Sequence, residues 1–159
     1  MFSNKHVVIA LLVAPVLAII TWFAVGSFVG EKPQQAQPGQ SYPLVERSNC
    51  RYDSGQCDLR NEDMRLSITL EGEAPLASLV LVSNQALDGA LLAVAANIDA
   101  VPRPMQRVDQ TGQRWLLPIN GVPHRQERLR VVVQSGGSNW FAEASTEFLE
   151  PYRVAGSSD

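Results

Sequence analysis

The chain has 159 residues, 45 % of them apolar, and a formal net charge of −3. So mild a charge argues against a nucleic-acid partner. Once an apolar N-terminal segment and a linker are set aside, about 115 residues remain, enough for one domain with one core.

The first element is an apolar run. Residues 7–29 read VVIALLVAPVLAIITWFAVGSFV, without one charged side chain. As a helix this run would reach about 34 Å and cross a hydrocarbon core of about 30 Å. The competing reading is a secretory signal peptide, whose apolar region is usually shorter, about 7–15 residues. Ala24-Val25-Gly26 loosely resembles a cleavage site, but apolar Phe28 and Val29 follow it. An uncleaved transmembrane helix is therefore expected. Lys5 precedes it, while Glu31 and Lys32 after it nearly cancel. The positive-inside rule then puts residues 1–6 in the cytoplasm and the bulk of the chain outside. Ala10, Ala14 and Ala18 recur every four residues, and Gly26 and Gly30 continue the spacing. Small residues at that interval let two helices approach closely, so a membrane-protein partner or self-association through the helix is expected. Trp22 interrupts the stripe and Pro15 is a candidate bend.

Residues 30–43, GEKPQQAQPGQSYP, cannot bury a core and read as a Pro/Gln-rich linker. Cys50 and Cys57 follow, around a turn signal at Asp53-Ser54-Gly55. In an oxidising compartment they would close a small disulfide loop. The alternative, a thiol pair for a soft metal or for electron exchange, has no recognisable C-x6-C signature and no histidine close in sequence.

From Leu44 to Tyr152 the pattern is β. Met64, Leu66, Ile68 and Leu70 alternate with polar residues in a half-buried strand. Leu79 to Val82 suits a central strand. Asp88-Gly89 marks a turn, and Ala90 to Ile98 reads as a strand, although its alanines would also suit a helix. Met105 to Asp109 and Gln113 to Ile119 form the next pair, with Pro118 placing the second at an edge or bulge. Glu127 to Gln134 alternates, Ser135 to Asn139 is a hairpin tip, and a last strand runs from Trp140 through Phe148. Trp115 and Trp140 are natural core anchors. Residues 153–159 read as a loose tail. About seven short strands separated by turns predict an all-β fold: an immunoglobulin-like β-sandwich behind one N-terminal transmembrane helix.

Catalytic chemistry finds little support. No nucleophile elbow, zinc-protease motif or phosphate loop is present. Glu62 and Asp63 are adjacent carboxylates, and neighbours on a strand point to opposite faces. No enzyme is expected, and no cofactor. The soft ligands Met105 and His124 leave a copper site open, because copper(I) favours such donors. Met105 is placed at a sandwich end and His124 after a turn, both exposed. Between Val101 and Arg130, six arginines stand against Asp109 and Glu127. Arg103, Arg107, Arg114, Arg128 and Arg130 would form a partner-binding basic face if their strands adjoin; the alternative is ordinary polar outer faces.

The layout resembles small bacterial inner-membrane accessory proteins of the FixH type, with local echoes at Arg103-Pro104 and Gly137-Ser138-Asn139-Trp140. That resemblance covers architecture. It implies a single-pass inner-membrane protein with its C-terminal domain in the periplasm, and a role in assembling an envelope complex. Copper handling is the alternative.

Overall fold

The computed structural model describes residues 4–29, 37–73 and 75–155. The chain divides into two units, one through Gln34 and one from Gln35 onward.

The first unit is a helix, α1 (Lys5–Val29). Its 25 residues reach about 37 Å, long and apolar enough to span a membrane. It starts two residues before the apolar run, taking in Lys5 and His6. Pro15 lies inside it, where it removes one backbone donor. Thr21 donates its hydroxyl to the Leu17 carbonyl at 2.8 Å, so this polar group is satisfied within the helix.

The second unit is built of β-strands in two sheets. The strands are β1 (Ser41–Pro43), β2 (Val45–Glu46), β3 (Gln56–Arg60), β4 (Arg65–Glu71), β5 (Ser78–Ser83), β6 (Gly89–Ala95), β7 (Arg103–Pro104), β8 (Gln106–Arg107), β9 (Arg114–Pro118), β10 (Arg128–Ser135) and β11 (Ser138–Ser145). One sheet has the order β1-β11-β10-β6-β7, the other β2-β3-β4-β5-β9-β8. Alternation explains why they share one core. Leu66, Ile68, Leu79, Leu81 and Leu117 come from the six-stranded sheet; Leu92, Leu129, Val131, Val133 and Trp140 come from the five-stranded one. The terminal strands of both sheets are only two or three residues long, which limits pairing with another chain. Ser135 and Ser138 close the β10–β11 hairpin around Gly136 and Gly137, both at positive φ, as a two-residue turn of this hand requires.

Several expectations needed correction. The expected linker 30–43 ends early. Residues 30–36 lie outside the described residues, but Ser41–Pro43 is β1, parallel to β11. Tyr42 is the reason: it is buried, with its ring 6.0 Å from that of Trp140. Gln56–Arg60 is an additional strand that was not anticipated.

The expected strand 105–109 is shortened to Gln106–Arg107, and a separate short strand precedes it. Arg103–Pro104 pairs with β6, and Gln106–Arg107 pairs with β9. The chain changes sheet at Met105, whose side chain is 5 % exposed, not displayed at the surface. Its backbone N–H donates to the Ala90 carbonyl at 2.9 Å.

The last strand stops at Ser145, short of Phe148. Thr146 leaves the ladder with φ −101° and ψ 11°, and a 3₁₀ turn (Glu147–Leu149) follows. In a strand, Phe148 and Leu149 would face opposite ways; the turn buries both. Residues 150–155, partly assigned to the tail, form a short helix, α2 (Glu150–Ala155). Arg153 ties it down, donating to the Pro123 carbonyl at 2.7 Å and the Thr146 carbonyl at 2.8 Å.

Candidate functional site

The cysteines form a disulfide, Cys50–Cys57, with both residues fully buried. It joins the 3₁₀ turn Ser48–Arg51 to β3. Inside the loop, Gly55 takes a positive φ and its N–H donates to the Phe148 carbonyl at 2.9 Å. The loop is thereby fastened to the C-terminal turn. Neither sulfur is a thiolate ligand in this state.

Met105 belongs to the core, while His124 is exposed on the segment between β9 and β10. Among the described residues, no three His, Cys, Asp or Glu side chains gather as a metal site. On α1, Ala10 and Ala14 line a shallow groove with His6, Val7, Leu11 and Pro15. Ala18 lies one helical turn further along, and Gly30 lies outside the described residues.

The arginines are divided between the two sheets. Arg103, Arg128 and Arg130 sit on β7 and β10 of one; Arg107 and Arg114 sit on β8 and β9 of the other. They therefore form no single basic face, because Met105 carries the chain across the core between Arg103 and Arg107. Most are also paired with carboxylates. Glu143 takes Arg128 at 3.1 Å and Arg130 at 2.9 Å. The Arg130 hydrogen bond first, and the Arg128 bond with it, hold the Glu143 carboxyl below its ordinary range. Arg114 pairs with Glu71 at 2.6 Å, and Arg125 with Glu150 at 2.6 Å.

What the register does assemble is an apolar belt, which the sequence alone did not reveal. Pro104 faces Leu91, Leu91 faces Val132, Val132 faces Phe141, and Phe141 faces Pro43. Directly opposed residues share a sheet face, and these alternate with core residues, so all five lie on the outer side. The belt crosses all five strands of that sheet. Leu91 is 40 % exposed and Phe141 46 %. On one flank stand Arg130 and Glu143, on the other Gln134 and Asn139. A groove of about 320 Å³ adjoins it, lined by Leu91, Pro104, Val132 and Gln134 together with Met105 and Trp115. Such a contiguous apolar strip with polar flanks is the composition of an interaction surface. The register that builds it follows from strand pairing, which no local pattern contains.

Compared with known proteins, the chain matches no family model, no curated protein and no solved structure.

Proposed function

We propose that this is a single-pass bacterial inner-membrane protein whose periplasmic, immunoglobulin-like domain docks a partner and helps hold or assemble an envelope membrane complex. The observation that carries this reading is the belt Pro104–Leu91–Val132–Phe141–Pro43 on the outer face of the five-stranded sheet. Large apolar side chains lined up across a sheet and left in water are costly unless another surface covers them.

Supporting observations bear on the other parts of the reading. The order β4-β5-β9-β8 follows the A-B-E-D sheet of an immunoglobulin domain, and β11-β10-β6-β7 follows G-F-C-C′. The buried disulfide suits an oxidising compartment. Lys5, set against the balanced Glu31 and Lys32, suits an N-terminus in the cytoplasm.

The test is affinity purification of the full chain from membranes in mild detergent. Leu91→Glu and Phe141→Glu put charges on the belt; Val82→Glu, equally exposed on the other sheet, is the matched control. The belt variants are expected to recover at least about tenfold less partner than the control, at unchanged melting temperature. Equal recovery from all three would remove the belt as the docking surface.

A further inference from the structure

At one end of the domain, a cleft of about 360 Å³ opens between the end of β6 and the segment joining β9 to β10. Leu92, Val94, Ile119 and Val122 form its apolar part. Val94, Ile119 and Val122 pack against the core, so this lining belongs to the folded body rather than to a loose loop. Its polar members are Arg103, Asn120, His124 and Glu127. Its size falls in the range of small-molecule sites, with more polar than apolar surface exposed around the apolar patch.

Among the described residues, Arg103 is the one permanent cation lining the cleft. A single N–H at Nη2 donates to the Pro118 carbonyl at 3.1 Å. No carboxylate of the described residues pairs with it, whereas Arg114, Arg125, Arg128 and Arg130 each have one. The guanidinium is thus held at the cleft by one bond and keeps donors for a ligand. Glu127 is committed elsewhere: its Oε2 accepts the His124 backbone N–H at 2.6 Å. Arg103 and Glu127 together leave the cleft without excess positive charge, so it suits a dianion such as phosphate poorly, and the guanidinium can take at most one monoanionic group. A guanidinium fork matches a carboxylate.

We propose that this cleft binds a short apolar chain ending in a carboxylate, with Arg103 taking the carboxylate and Val94, Ile119 and Val122 taking the apolar part. The site is separate from the belt and does not depend on the docking role. A peptide C-terminus and a small free fatty acid present the same chemistry.

The experiment uses the full chain in lipid nanodiscs, with ligand-observed NMR titration against empty nanodiscs as background. Two probe pairs differ only in charge: N-acetyl-leucine with N-acetyl-leucinamide, and hexanoate with hexanamide. For at least one pair the acid is expected to bind about tenfold or more tightly than the amide. Arg103→Gln should abolish that preference, and Ala100→Trp, which fills the cleft, should abolish binding of both members. Whichever acid binds more tightly identifies a peptide end or a free acid as the source. Acid and amide binding alike, neither binding at millimolar concentration, or a preference that survives Arg103→Gln would overturn the proposal.

Discussion

Among the described residues, Glu150 is the most strongly perturbed carboxylate. It receives Arg125 Nη2 at 2.6 Å and Arg153 Nη1 at 2.8 Å. The Arg125 hydrogen bond first, then that of Arg153, lower its pKa from 4.5 to about 2. A carboxyl whose folded pKa is depressed stabilises the fold above its unfolded pKa. That contribution is complete above about pH 4.5 and lost as the pH falls through about 2. Glu150→Gln is therefore expected to lower the melting temperature by a few degrees at pH 7. By pH 2 the difference from the parent chain should have closed. Thermal scans by circular dichroism at both pH values check this; a gap that persists at pH 2 would show that the charge is not its source. Met105 shows how a residue's environment can reverse its reading. In sequence it follows Arg103-Pro104, opens a strand at a sandwich end and looks exposed to a metal. In the fold it is the point where the chain passes from one sheet to the other, and it fills the core between them.

At the scale of elements, β4 and β10 were legible because their two-residue period is strict, and β5, β6 and β9 because turn residues bound short apolar segments. Leu66, Ile68 and Leu70 alternate with Arg65, Ser67 and Thr69, and no helix could bury that set on one face. Among the elements that escaped, β1 has its partner far away in sequence. Ser41–Pro43 looks like linker composition, yet it pairs with Asn139–Phe141 roughly a hundred residues on. The 3₁₀ turn at Glu147–Leu149 forms because burying two successive large side chains outweighs one more rung of ladder. The disulfide ties the 3₁₀ turn Ser48–Arg51 to β3. Chain-entropy arithmetic for a loop this short gives about 2.5 kcal/mol of stabilisation. Replacing Cys50 and Cys57 together by Ala should cost about that much, plus the packing of two buried sulfurs. Urea unfolding of the full chain in micelles, followed by tryptophan fluorescence, measures it. A midpoint unchanged from the parent would mean that the loop is held by the Gly55–Phe148 hydrogen bond and packing alone.

For the whole molecule, the two units differ in the surface they expose. Residues 7–25 expose apolar side chains on every side of α1, which is unfavourable in water and suits lipid. Burial of a chain this apolar in a bilayer resists alkaline washing. The full chain is expected in the membrane pellet after carbonate extraction, and a chain beginning after Val29 in the supernatant. Recovery of the full chain in the wash would argue that α1 is not an anchor. The belt exists only at this scale, since it requires β1, β11, β10, β6 and β7 to lie side by side in one register.

By itself the sequence determined the quantities that are local in the chain. These are the length and apolarity of α1, the two-residue period of the long strands, the positions of the turns and the proximity of Cys50 to Cys57. Each depends on neighbours within a few residues, where covalent geometry dictates which side chains share a face. Only the tertiary structure decided which strands adjoin, and hence that the arginines divide between two sheets while Pro104, Leu91, Val132, Phe141 and Pro43 align. Pairing is a contest among long-range contacts, settled by the packing of the whole core, and no window along the chain contains it.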